Sequence, residues 1–97
     1  MRIFYLERIN DFGRHHANAR KSLATWVDVV SKAHWKNKQD VLKDFPRAKM
    51  IKNNRARFEI AHNTYRMIGH IDYEENFIEI RFIGTHNEYD RIDPVTI

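Results

Sequence analysis

The sequence predicts an α+β fold: helices packed on one face of a mainly antiparallel sheet, with a short helix at the C-terminal end. Three observations predict it. A short apolar run opens the chain, a helical stripe follows, and beyond Pro46 the hydrophobic period changes from three or four residues to two. Strand, helices and then a run of strands is the order of an α+β domain.

Arg2 to Leu6 is apolar and aromatic and reads as the opening strand. Ile9 to His16 reads as a brief helix, with Asn10 or Asp11 available as its cap. Ala17 to Lys36 is the clearest helix. Ala19, Leu23, Trp26, Val27, Val30 and Ala33 recur on one side, and Lys21, Asp28, Ser31 and Lys32 take much of the other. Such a stripe must bury against something, and a sheet is the only candidate of matching size. Gln39 to Asp44 reads as a short helix stopped by Pro46, which disfavours a helical Phe45. Ala48 to Lys52, Arg57 to Ala61, Thr64 to Asp72 and Phe77 to Thr85 read as strands. Asn53-Asn54, His62-Asn63 and Glu74-Glu75-Asn76 punctuate them.

Ninety-seven residues are expected to form one domain, 1–97, around one core. With 42% hydrophobic and 12% aromatic residues the chain is too apolar to be disordered. It has no cysteine, which excludes disulfides and Cys-based zinc sites and suits a reducing cytoplasm. No apolar run approaches a membrane span, and Met1 to Glu7 is too short for a signal peptide. The formal net charge of +4 favours an anionic partner, nucleic acid being the commonest, although an acidic protein accounts for the same charge.

Alternation assigns the strand faces. With a two-residue turn at His62-Asn63, Ile60 faces Tyr65 and Phe58 faces Met67. Gly69, Ile71, Ile78, Ile80 and Phe82 continue that apolar face. The other face carries Arg57, Glu59, Arg66, Ile68, His70, Glu79, Arg81, Ile83 and Thr85. Glu59 stands opposite Arg66, Arg81 lies one strand over, and His86 and Tyr89 follow at the strand exit.

Metal-free RNA cleavage needs groups of these kinds. A base takes the 2′-hydroxyl proton, cations stabilise the pentavalent phosphate, and an acid protonates the leaving 5′-oxygen. Imidazole suits either proton role, and the planar guanidinium meets phosphate oxygens bidentately. Catalytic candidates are therefore His86, Arg66, Arg81, Glu59 and Tyr89. Each has a plainer explanation: His86 as an N-cap satisfying backbone groups, Glu59–Arg66 and His70–Glu79 as cross-strand pairs, Arg81 as a solvated charge, and Tyr89 with Ile92 as the inner stripe of a short helix running through Arg91 and capped by Thr85 or Asn87. Lys36 and Lys38 at a helix end, and Lys52, Arg55 and Arg57 around the first hairpin, are candidates to follow an RNA backbone, although cations are favourable at a helix C-terminus without any ligand. The histidines are scattered and show no ligand spacing, and Gly13, Gly69 and Gly84 are isolated. Neither a metal nor another cofactor is expected.

Four motifs stand in order along the chain: Trp35-Lys36, Asp44-Phe45-Pro46, Asn63-Thr64-Tyr65-Arg66 and Gly84-Thr85-His86-Asn87-Glu88-Tyr89-Asp90. Together they resemble the HigB-type toxins, a branch of the RelE-like messenger-RNA endonucleases. The T-H-x-E-Y-D block is the most specific part, and the resemblance spans nearly the whole chain. It implies a RelE-like fold and a toxin that cuts messenger RNA in the ribosomal A site through the 2′-hydroxyl. It also implies an antitoxin, commonly with a helix-turn-helix and HigA-like, that assembles the monomeric toxin into a hetero-oligomer. By resemblance His86 falls where the family keeps its C-terminal histidine, and Arg66 and Arg81 fall on strands that carry phosphate-binding arginines. Tyr89 falls near a phenol or aromatic beside the substrate, and Lys36 matches the lysine after the aromatic at the helix end. Glu59 as base follows from the sheet register alone. A basic RNA- or protein-binding module with the same fold, and a structural subunit whose charged face is covered by a partner, are the competing readings.

Overall fold

The computed structural model describes all residues, Met1–Ile97. In chain order the elements are β1 (Arg2–Phe4), α1 (Leu6–His15), a 3₁₀ turn (Ala17–Ala19), α2 (Arg20–Ser31), α3 (Lys38–Asp44), β2 (Lys49–Ile51), β3 (Arg55–Ile60), β4 (Tyr65–Asp72), β5 (Phe77–Thr85) and α4 (His86–Tyr89). The strands form one sheet in the order β1-β5-β4-β3-β2. Neighbours are antiparallel except β1, which runs parallel to β5. The expected α+β architecture is present. No helix is long and apolar enough to cross a membrane.

The N-terminal boundaries differ from expectation. Tyr5 adopts a left-handed conformation (φ 65°), which turns the chain directly from β1 into α1. That helix therefore starts at Leu6 rather than Ile9, and Asn10 and Asp11 lie inside it instead of capping it. Arg8 anchors the new start. Its guanidinium lies 4.6 Å from the Tyr5 ring centroid, and its Nη1 donates to the Ile80 carbonyl at 2.9 Å.

The main helix does not run unbroken from Ala17 to Lys36, because α2 stops at Ser31. Trp35 is off the apolar stripe of α2, so it reaches the core only once the helix has ended. There its ring lies 6.3 Å from Phe58 at an interplanar angle of 19°, and its indole N–H donates to Asp44 at 2.9 Å. Asn37 then caps α3, its side chain accepting from the Asp40 N–H at 3.0 Å.

The core lies between the helices and one sheet face. Leu23, Trp26 and Val30 of α2 and Val41 of α3 are buried with Phe58, Ile60, Met67, Ile71, Ile78 and Ile80. Each large apolar side chain so buried contributes about 1.5–3 kcal/mol. A Cβ on Gly69 would lie 2.5 Å from Cδ1 of Ile78 on the neighbouring strand β5, so the glycine leaves room for that side chain on the core face.

The β3–β4 register is the one alternation predicts: Ile60 pairs with Tyr65, Glu59 with Arg66 and Phe58 with Met67. The two-residue turn is also present. Thr64 N–H donates to the Ala61 carbonyl at 3.0 Å, and both central residues, His62 and Asn63, have positive φ. On β5 the alternation fails beyond Ile80. Gly69 pairs with Ile80 and Ile68 with Phe82, which leaves Arg81 as the extra residue of a bulge. Parity therefore flips. Phe82 leaves the core face for the face of Ile68, and Ile83 moves opposite Met67 onto the core.

Candidate active site

Thr85 ends β5 and starts α4. Its hydroxyl accepts from the Glu88 N–H at 3.2 Å, and its own N–H donates to Glu88 Oε1 at 2.9 Å, a reciprocal capping box. The backbone N–H of Thr85, then its hydroxyl, hold the Glu88 carboxyl below its usual pKa. This cap makes His86 the first residue of α4 and sets Tyr89 one turn later. The helix folds close over the strand: a Cβ on Gly84 would lie 3.1 Å from Glu88 Oε1 and 3.2 Å from Glu88 Cβ.

The β3–β4 turn supplies the opposite wall. Ala61, His62 and Asn63 have φ of 53°, 55° and 69°, a left-handed run that costs an L-residue roughly 1–2 kcal/mol per position. Asparagine tolerates it best. The turn presents Asn63 to two side chains. Its carbonyl accepts from His86 Nε2, and its Oδ1 accepts from Arg66 Nε at 3.3 Å. A carbonyl can only accept, so Nε2 carries the hydrogen in that bond and a neutral His86 ring keeps its free lone pair on Nδ1. The Arg66 guanidinium lies 4.9 Å from the Tyr89 ring centroid, and Tyr89 lies 6.1 Å from Phe82. Asn63 thus holds Arg66 and His86, and Tyr89 joins them through the Arg66 guanidinium; all three are half-buried.

Glu59 is the backbone partner of Arg66 but makes no ion pair with it. Its Oε1 instead accepts from Arg47 Nε at 3.0 Å, across the open end of β3. No three His, Asp or Glu side chains gather as a metal-ligand set.

A family model described as HigB_toxin, the RelE-like toxic component of a toxin-antitoxin system, matches residues 19–92. The chain belongs to the HigB toxin family. A search of curated proteins finds no match. The matched span runs from the start of α2 past the end of α4 and includes every member of the Arg66–His86–Tyr89 cluster. Membership gives this HigB-family toxin a role in a toxin-antitoxin system and implies a cognate antitoxin as its partner.

The other basic candidates of the toxin stand apart from that cluster. Arg81, on the bulge, donates from Nε to the Ile97 main-chain oxygen at 3.2 Å. Arg55 donates to the same oxygen from Nε at 3.2 Å and Nη2 at 2.6 Å. Asn53 Nδ2 meets the Val95 carbonyl at 3.3 Å, so the segment after Pro94 lies along this part of the charged face. Arg57 has a buried Nε without a partner, and Lys52 is exposed on the hairpin. Lys36 and Lys38 are exposed where α3 begins, and their side chains make no hydrogen bond or ion pair. His70 Nδ1 lies 2.9 Å from Glu79 Oε1, the structural pair expected from the sequence.

Sequence reasoning missed Asn63, Arg47 and Phe82. Asn63 reads as a turn residue and is one, so its use as a contact is hidden beneath its use as a left-handed residue. Phe82 was misplaced by the bulge, which the alternating residues around Arg81 do not announce.

Proposed function

We propose that this toxin is a ribosome-dependent endoribonuclease that cleaves translated messenger RNA without a metal and thereby inhibits translation. The observation that carries the reading is that Asn63 holds a guanidinium and an imidazole, with a phenol ring against that guanidinium. His86 Nδ1 takes the 2′-hydroxyl proton, the 2′-oxygen attacks phosphorus, and the bond to the 5′-oxygen breaks to leave a 2′,3′-cyclic phosphate. The Tyr89 phenol gives its proton to the leaving 5′-oxygen. Arg66 stabilises the extra charge on the phosphorane through the Nη groups that its bond to Asn63 leaves free. Glu59 is committed to Arg47, so the base role passes to His86. Arg81, Arg55, Arg57 and Lys52 follow the RNA backbone along the charged face, and Lys36 and Lys38 meet ribosomal phosphates from the helical layer. The toxin acts in the cytoplasm as a monomer until a helix-turn-helix, HigA-like antitoxin assembles it into an inactive complex.

The test is inducible expression of wild type, His86→Ala, Arg66→Ala and Arg81→Ala with mapping of message 5′-ends. Growth arrest with codon-phased cuts is expected from wild type. Loss of about 10²-fold or more in cleavage is expected from the first two variants. Arrest that survives His86→Ala and Arg66→Ala would remove the catalytic assignment. It would favour the second reading, a basic binding module of the same fold, which draws on the Ile97 oxygen already held by Arg55 and Arg81.

A further inference from the structure

An apolar groove of about 590 Å³ opens to solvent between α1 and α2. Leu6 and Ile9 line it from α1, and Leu23, Ala24 and Val27 from α2. Leu6 and its neighbour Tyr5 are the two exposed large hydrophobic residues of the whole chain. We infer that this groove receives one amphipathic helix of the cognate antitoxin, apolar face inward, with a carboxylate of that helix at Arg20. The inference rests on membership of the toxin family, which supplies the partner, and is independent of the nuclease reading.

Gly13 forms part of the lining. It lies inside α1 and has no left-handed φ, so it is not the residue that ends the helix. Glycine is among the poorest helix formers, and the packing of the chain itself does not require one here. A Cβ at Gly13 would meet only Arg20 Cγ, at 3.5 Å, which is ordinary contact. The glycine therefore keeps open a notch that nothing in the toxin fills, and a notch without a Cβ admits the close approach of another backbone.

The shape of the walls selects a helix. Along the groove the main-chain groups of α1 and α2 are bonded within their own helices, so an extended segment would find no ladder to join. A helix satisfies its own backbone and sets its ridge between two others. The 10 residues of α1 extend about 15 Å, enough for apolar anchors at i, i+4 and i+7 of the partner.

Charge selects the sign of the partner and the way it lies. Among the charged lining residues, Arg14 pairs with Asp11 and Asp28 with Lys32. Arg20 is exposed, and its Nε donates to the Gly13 carbonyl at 2.7 Å. That bond holds the guanidinium beside the C-terminal part of α1 and leaves both Nη groups without a partner. A planar fork so held takes a carboxylate bidentately, and the net charge of +4 draws an acidic partner in the same sense.

The experiment measures, by titration calorimetry, the affinity of the full chain for the antitoxin encoded in the adjoining reading frame. Gly13→Leu fills the notch with a strong helix former. It is expected to melt no lower than wild type and yet to bind the antitoxin at least about tenfold more weakly. Arg20→Gln is expected to weaken binding about two- to fivefold and to flatten its dependence on salt. Thr25→Arg is the control: Thr25 is exposed on α2 but lines another cleft, so this variant should bind as wild type does. Should Gly13→Leu fail to melt cooperatively, Ala24→Glu on the exposed wall takes its place, with the same loss expected. Wild-type affinity in the groove variants, or an equal loss in Thr25→Arg, overturns the groove and leaves the antitoxin as a partner bound elsewhere. No binding by the wild-type chain removes the partner and the inference together. A toxin that sediments alone as a dimer and becomes a monomer with Gly13→Leu assigns the groove to a second copy and overturns the inference as well.

Discussion

The Arg66 guanidinium lies over the Tyr89 ring, 4.9 Å from its centroid, although the two residues belong to β4 and α4. The contact is worth about 0.5–1 kcal/mol at a surface site, and its greater consequence is placement. With Nε on Asn63 and one face on the ring, the fork of Arg66 has little freedom left. Tyr89→Phe keeps the ring and removes only the hydroxyl. It is expected to melt like wild type and to lose about 10²-fold in cleavage, the general-acid share. Tyr89→Ala loses the ring as well and should be slower still. Cleavage by Tyr89→Phe at the wild-type rate would show that another group protonates the leaving oxygen.

Asn63→Gly separates the conformational use of this residue from its chemical one. Glycine accepts φ of 69° without strain, and the main-chain carbonyl that meets His86 remains. Only the amide that holds Arg66 Nε is lost. The variant is expected to keep its melting temperature within a few degrees, about what a few tenths of a kcal/mol moves in a domain of this size. Its cleavage of message should fall at least about tenfold, because an unheld fork stabilises the phosphorane less. Single-turnover cleavage beside calorimetry reads both quantities. A proportionate fall in stability would make Asn63 a structural residue only.

The β3–β4 register was legible because both strands alternate without interruption and the turn is two residues long, so Glu59 had to face Arg66. The side-chain pairing was not legible. Which partner Glu59 takes depends on where the chain turns after Pro46, and that turn brings Arg47 to it. The face of Phe82 was lost for a different reason. One unpaired residue at Arg81 reverses every later assignment, and nothing in Arg81-Phe82-Ile83 distinguishes a bulge from regular pleat. His86 was found from the T-H-x-E-Y-D block and Thr85 from its capping chemistry. The hold that Asn63 has on His86 joins residues 23 apart and follows only from the fold.

Removing residues 93–97 should release two arginines. The Ile97 oxygen takes three guanidinium bonds from Arg55 and Arg81, and Val95 takes one from Asn53. A chain ending at Ile92 keeps α4 and its cap. Against a 2′-O-methyl oligoribonucleotide, which cannot be cut, it is expected to bind more tightly than the full chain. The slope of log K against log salt should steepen by up to about 1.4, the contribution of two added phosphate contacts on a single strand. Fluorescence anisotropy across a salt series measures it. An unchanged slope would mean that Arg55 and Arg81 serve the tail rather than RNA.

The cap on α4 should be lost in acid before the sheet is. Glu88 has its pKa lowered in the fold, first by the Thr85 N–H and then by the Thr85 hydroxyl. A lowered folded pKa means that the unfolded cap binds the proton more readily. The carboxylate's contribution is therefore complete above the ordinary value of 4.5 and is lost as pH falls through the lower, folded value. Glu88 is exposed, so the effect is local fraying of a single turn rather than global unfolding. The Thr85 amide resonance is expected to move towards its random-coil position below pH 4.5 while β4 amides stay in place, and His86, the first residue of α4, should move with it. Glu88→Gln supplies the control. Glutamine also completes a capping box but does not titrate, so its Thr85 amide should hold steady over the same range. If both proteins lose the Thr85 signal together, some other carboxylate governs the turn and the cap does not set the pH response of His86.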